Sequence, residues 1–359
     1  MKKRIDTRFR TTVGLLAIAI VSCACLLGCG DSGTGPQPPV AKDYPVYFYN
    51  GANPNAYYEY RTLSGTLDSF MLPFVPGFDR MTVSSDGALL YVSARDGIHV
   101  VTLATREETT VLPFTDYRAV AVSPDGRWLA VQNGGLDILN RGGGDIILHL
   151  NDTTYDGLFA TNSDAFYCLT GDMLNEPVHV LRVPVDTSVD TVTRTYFPSG
   201  RPEKLVVSPD ERTWYLFLRH GVSSYSFVAY DAAGDSMLFI DTLAAAAGDI
   251  VMTPDGGQVL YSLPGSPLYG WGPPVVRVYT RAQNAIRELS LRAVVSGTDT
   301  LDIRPWQMVV TPDSRRVICS GANLSDDGLL TLAAPDWDIE RHAPIPQVDV
   351  RGLTIQQQL

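Results

Sequence analysis

The chain reads as an all-β protein, a seven-bladed β-propeller of four-stranded antiparallel blades. Two observations predict this. A short turn phrase follows an apolar, strand-like run six times: Ser84-Ser85-Asp86-Gly87, Ser123-Pro124-Asp125-Gly126, Asn162-Ser163-Asp164-Ala165, Ser208-Pro209-Asp210-Glu211, Thr253-Pro254-Asp255-Gly256 and Thr311-Pro312-Asp313-Ser314. The intervals between the aspartates are 39, 39, 46, 45 and 58 residues. A period near 40, with strand patterns and no helical ones, is the signature of propeller blades. The second observation concerns the two ends. Residues 46–50, 57–63 and 66–72 look like the second, third and fourth strands of a unit that lacks its first. Arg351-Gly352-Leu353-Thr354-Ile355 repeats the pattern of Arg118-Ala119-Val120-Ala121-Val122, an innermost strand. The C-terminal strand is therefore expected to close the ring by pairing into the N-terminal blade, which also protects sheet edges that would otherwise be sticky.

Each element follows from this repeat. In the turn phrase, proline pre-sets φ at the first central position and aspartate accepts backbone hydrogen bonds at the second. Glycine then takes the left-handed position. Ala165, Glu211 and Ser314 stand where glycine is expected, each at a cost of about 1 kcal/mol unless the local turn differs. One carboxylate per turn cannot supply the six to eight oxygens of a calcium site, so the aspartates read as turn formers. Blade 3 shows the unit best. Residues 119–123 form the innermost strand, 128–132 the second, 136–140 the third and 145–150 the outer one. Further units start near Met81, Gly157, Leu205, Ile250 and Met308.

The run from Arg118 to Val131, Arg-Ala-Val-Ala-Val-Ser-Pro-Asp-Gly-Arg-Trp-Leu-Ala-Val, resembles the YVTN-type and TolB-like β-propeller repeats. Residues 205–210 with 214–217 do the same, and the resemblance runs in register over residues 44–359. It implies a fold. It does not imply one activity, because such propellers include lactonase-like enzymes, binding scaffolds and surface proteins. The single Trp337-Asp338 matches the WD-repeat dipeptide in an otherwise different context and carries no weight.

The start of the chain has a different composition. Lys2, Lys3, Arg4, Arg8 and Arg10 precede an apolar stretch over residues 11–27, which ends in Leu26-Leu27-Gly28-Cys29. Residues 1–28 read as a signal peptide, and the last four residues of this stretch resemble a bacterial lipobox. The resemblance implies that Cys29 is acylated and becomes the first mature residue. The stretch is short for a full membrane span, and residues 29–43 read as a flexible linker. Residues 44–359 form the propeller. Gly30, standing where aspartate would favour inner-membrane retention, points to the cell envelope and the outer membrane, on the periplasmic or the surface side. The whole chain carries −11, and without residues 1–28, which hold five basic groups and one acid, it carries −15. An acidic surface without a basic stripe argues against nucleic acid, and it leaves membrane attachment to the acyl chains.

Motifs for chemistry are sparse. Cys23 and Cys25 leave with the signal, while Cys168 and Cys319 fall on second strands of well-separated blades and read as buried thiols. His99, His149, His179, His220 and His342 form no metal-binding pair, and His99 and His179 share third-strand positions. No Gly-x-Ser-x-Gly elbow is present. Arg141-Gly142-Gly143-Gly144-Asp145 lacks the lysine and helix of a phosphate cradle and reads as a turn. No cofactor and no metal site is expected.

Loop topology supplies a candidate binding face. The turn phrases lie on one face of the disc, and the second-to-third-strand and inter-blade loops lie on the other. Long insertions fall on that second face: residues 263–274 with Tyr269 and Trp271, 295–306 with Arg304 and Trp306, 321–328 with Asn323, Asp326 and Asp327, and 50–56. Exposed aromatic residues on a rigid scaffold suit peptide or sugar contacts. Trp271, among glycines and prolines, also fits a role as an end cap. The expected function is that of a non-catalytic binding or scaffolding lipoprotein for a protein, peptide or glycan partner. The alternative is a lactonase-like hydrolase with its site in the central funnel. An enzyme should bring ionisable side chains of different innermost strands within hydrogen-bond reach there. A scaffold should line the funnel with small or apolar residues.

Overall fold

The computed structural model describes residues 42–356, apart from 115–118, 133–134, 143, 172–177, 186–192, 198–199, 222–223, 245, 266–271, 297–298, 303, 322–327 and 346–347. Seven four-stranded antiparallel sheets follow one another. In blades 1 to 7 the innermost strands are Val350–Ile355, Pro76–Val83, Ala119–Val122, Thr154–Phe159, Arg201–Val207, Ile250–Met252 and Pro305–Val310. Each touches the next, and the seventh touches the first, so they form a closed circuit.

Blade 1 is assembled from both chain ends, as its missing first strand implied. Pro45–Asn50 pairs on one side with Asn53–Arg61 and on the other with Val350–Ile355. Tyr47 lies opposite Thr354 and Val46 opposite Ile355. Closure replaces a free edge with a hydrogen-bonded ladder, and it also buries Val350 and Ile355.

The apolar runs of the second strands pack on both sides. In blade 5, Trp214, Leu216 and Leu218 enter a cluster shared with blade 4. Tyr215 and Phe217 point the other way and enter the cluster shared with blade 6. The two-residue period of a strand divides one continuous apolar run between two clefts. Seven such clusters fill the seven clefts, so each blade is held by its neighbours.

Two expectations need correction. The turn of blade 4 is Ala160-Thr161-Asn162-Ser163, two residues earlier than the sequence phrase. The Ser163 N–H bonds the Ala160 carbonyl, as Gly126 bonds Ser123. Ser163 takes the left-handed conformation at φ 64, and Ala165 begins the next strand. Asn162, in the aspartate's place, accepts from the Asp164 N–H. The phrase of blade 4 is therefore offset because serine, not alanine, meets the backbone requirement. Residues 50–56 are not an open loop either. The turn there is Gly51-Ala52, and strand pairing resumes with Asn50 opposite Asn53. A register irregularity at Tyr49/Asn50 accommodates Pro54, which lacks the N–H a regular ladder needs.

Candidate functional site

The innermost strands carry a charged belt. Its members stand four residues before the turn in each blade: Arg80, Ala119, Asp156, Lys204, Asp249 and Gln307 in blades 2 to 7. Gly352 holds the equivalent register in blade 1. The strand pairing is irregular beside this position in blades 1, 2, 4, 5 and 7. Such bulges re-aim side chains, here toward the following blade.

Asp156 Oδ2 accepts the Leu205 N–H at 2.9 Å, Asp249 Oδ2 the Met308 N–H at 3.0 Å and Gln307 Oε1 the Leu353 N–H at 3.0 Å. The belt residues of blades 4, 6 and 7 thus each hold the backbone of the next blade. Charge pairs complete the belt. Lys204 Nζ lies 3.0 Å from Asp249 Oδ1. Arg80 reaches past blade 3, where the belt residue is alanine, and hydrogen-bonds Asp156 Oδ1. The Asp156 and Asp249 carboxylates are largely enclosed, whereas the Arg80 and Lys204 side chains are 32% and 29% exposed, so it is mainly the cations that meet solvent.

The electrostatics follow from these partners. Burial pushes the Asp156 carboxyl up, but the charges of Arg80 and Lys204 and the Leu205 N–H outweigh it, and the group ends below the ordinary aspartate range. The adjacent Asp156 charge raises Arg80 further, against its own burial. Two cations and two anions cancel.

The belt meets the geometric condition set for an enzyme and contradicts a funnel lined only by small or apolar residues. The physical reason is that inter-blade junctions near the axis leave backbone N–H groups of the following blade to satisfy, and carboxylates or an amide do this. The sequence reading missed these four charged residues. Aligning the repeats on their turn phrases places Arg80, Lys204 and Asp249 in one column, whereas Asp156 joins it only with the blade 4 turn at residues 160–163. Chemically, both oxygens of Asp156 and both of Asp249 are committed, the latter also accepting the Ile250 N–H at 3.0 Å. Asp156, held low and fully bonded, is a weak general base at neutral pH.

On the insertion-bearing face, Trp306 is 44% exposed at the irregularity of the blade 7 inner strand. Arg304 is partly buried just before it. The insertion that leads to them is a two-stranded hairpin, Arg292–Ser296 paired with Asp299–Asp302. Tyr269, Trp271, Asn323, Asp326 and Asp327 lie outside the described residues, as does Cys29, so the structure places only Arg304 and Trp306 of the candidate face.

The other singled-out residues have structural surroundings. His99 lies between Asp96 at 2.9 Å and Glu108 at 3.0 Å, stacked on Phe74 with centroids 3.9 Å apart. His99 and His179 are both on third strands, but opposite Val92 and Thr170, two registers apart in the repeat. Cys168 and Cys319 are free and buried on second strands, and burial raises both thiols far above the ordinary range. Trp337 is buried and donates to Gln258 Oε1 at 2.8 Å. In the glycine-rich run, Gly144 takes φ 70 and donates to the Asn140 carbonyl, as a turn requires. Among the described residues, no cluster of three or more His, Cys, Asp or Glu is arranged to hold a metal ion.

No protein-family model matches the chain, and no curated protein sequence is significantly similar. Solved structures are. A putative 6-phosphogluconolactonase from Bacteroides uniformis is 13% identical, with TM-score 0.60 over 86% of this chain and 98% of that one. Dihydro-heme d1 dehydrogenase NirN is 14% identical, with TM-score 0.55 over 89% of this chain and 78% of that one. The β-propeller domain of Cps50 (Swd1) from Myceliophteria thermophila is 11% identical, with TM-score 0.57 over 76% and 89%. At such identities the likeness is one of fold. The chain is a seven-bladed β-propeller.

Proposed function

We propose that this propeller is a YVTN-type or TolB-like lipoprotein of the cell envelope, held at the outer membrane through acylated Cys29. It binds a protein, peptide or glycan partner without chemistry. The observation that carries the reading is the contrast between its two polar regions. Every ionisable group of the belt is spent on ion pairs and blade junctions, while Trp306 stands 44% exposed beside Arg304 at the foot of an inserted hairpin. Exposed tryptophan and arginine are the side chains that most often anchor interfaces. Trp306→Ala should weaken capture of the partner from solubilised envelopes at least tenfold, with thermal unfolding shifted by no more than a degree or two. Unchanged capture removes the face from consideration. Metabolic labelling with a clickable fatty acid should mark the wild-type chain and spare Cys29→Ala.

The second reading, a lactonase-like hydrolase, draws on the likeness to putative 6-phosphogluconolactonases and on the solvent-reaching cations Arg80 and Lys204. Hydrolysis of 6-phosphogluconolactone above the spontaneous rate, abolished by Lys204→Met, would favour it. The belt chemistry predicts no such acceleration.

A further inference from the structure

The repeat departs from its own pattern at one inter-blade cleft on the turn-bearing face, opposite the face considered above. Five residues after the turn begins, blades 2, 4, 5, 6 and 7 carry Leu89, Ala165, Thr213, Gln258 and Arg316, and blade 1 has Pro45 at that register; blade 3 carries the half-buried Trp128. The facing turn of blade 4 is also atypical. It lacks the clasp in which a serine or threonine hydroxyl donates to the turn aspartate, as Ser123 does to Asp125 at 2.7 Å. Its Ser163 Oγ instead accepts the Asp125 N–H at 2.9 Å and ties the two turns together. The departure of the blade 4 turn beside this tryptophan is of the kind expected at functional or strained sites.

Two hollows flank the Trp128 indole. One, of about 550 Å³, lies against Arg127, Asn140 and Arg141. The other, of about 440 Å³, lies against Ile147, Asn162 and Asp164. Each is large enough for a small ring. The amide oxygens of Asn140 and Asn162 are used by the Gly142 and Asp164 N–H groups, which leaves each NH2 to donate outward. The guanidinium of Arg127 lies 5.5 Å over the indole on a side chain that is 69% exposed. It can yield its place to a ligand.

We infer that the first of these hollows is a carbohydrate subsite, in which the apolar face of a neutral pyranose stacks on Trp128 while Asn140 and Arg127 donate to its hydroxyls. A hydroxyl-rich ring with one apolar face matches an aromatic platform ringed by donors. An extended peptide matches less well, because the cleft is walled by turns and offers no free strand edge. A neutral sugar is favoured because each arginine already faces an acid: Arg127 faces Asp125 at 2.6 Å and Arg141 faces Asp86 at 3.6 Å. The inference stands apart from the Trp306 face.

Saturation-transfer NMR and titration of the full chain with cellohexaose, mannohexaose, chitohexaose and, as the anionic contrast, hexagalacturonate tests it. At least one neutral hexasaccharide should bind. Trp128→Ala should lower its affinity at least tenfold, Trp128→Tyr less, and Trp306→Ala not at all. Should Trp128→Ala fail to fold, Asn140→Ala, which leaves the blade's apolar packing intact, should weaken binding several-fold. No neutral binding at millimolar sugar, binding of the anionic oligomer alone, or undiminished binding by the Trp128 and Asn140 variants overturns the inference.

Discussion

At the scale of single residues, Asp156 and the turn positions carry the clearest consequences. Asp156→Asn leaves Arg80 without its counter-charge near the axis. Breaking a buried pair costs about 3–5 kcal/mol, and the partial exposure of Arg80 lowers the expectation to roughly 2–3 kcal/mol. Urea unfolding at pH 7 measures it. The sign of the pH dependence follows from the depressed carboxyl. Its stabilisation is complete above the unfolded value, near 3.8, and is lost as pH falls through the lower folded value. The gap between wild type and Asp156→Asn should therefore narrow steadily below about pH 4. A gap constant down to pH 2 would show that the ion pair contributes nothing. The turns offer an opposite-signed test. Ser314 holds φ 57 where blades 2, 3 and 6 have glycine. Ser314→Gly should stabilise by about 0.5–1 kcal/mol, the left-handed penalty less the glycine entropy. Glu211 sits in the same conformation, but its carboxylate accepts the Tyr167 hydroxyl at 2.5 Å, so Glu211→Gly should gain less or lose.

At the scale of strands and turns, what the sequence made legible was what local chemistry decides. Turn residues and two-residue alternation placed the strands of blade 3 to within one residue of their observed bounds. The errors arose where local signals compete. Asn53-Pro54-Asn55 is turn chemistry, yet the strand begins at Asn53 because Pro45–Asn50 offers a partner across a two-residue turn. Asn162-Ser163-Asp164 offers three turn formers in a row, and the hydrogen bond of Ser163 to Ala160, not the resemblance of the letters, selects the register. The belt was illegible to a motif search because its charged members lie 45 or more residues apart and meet only in the closed ring. Buried second strands give one further test. Cys168 and Cys319, enclosed and with thiols pushed up, should resist a thiol reagent in the native protein and react together only on global unfolding. Rapid labelling of either in native buffer would mean that its blade opens independently.

At the scale of the whole molecule, stability is shared among seven clefts, and no blade carries a core of its own. Blade 1 is the sensitive place, because only the pairing of the two chain ends completes it. The same closure positions Gly352 in the left-handed conformation at φ 65, opening the strand where the belt passes, and offers the Leu353 N–H to Gln307. The belt and the closing strand are thus one construction: belt side chains tie blades 4, 5, 6, 7 and 1 in succession, and Arg80 joins blade 2 to blade 4. Residue-resolved hydrogen exchange on Val350–Ile355, alongside Pro45–Asn50, tests that construction most directly. Closure predicts that amides of both strands are protected and exchange together, with the free energy of global unfolding. Exchange of the C-terminal strand within seconds, while the second strands of the other blades stay protected, would contradict it.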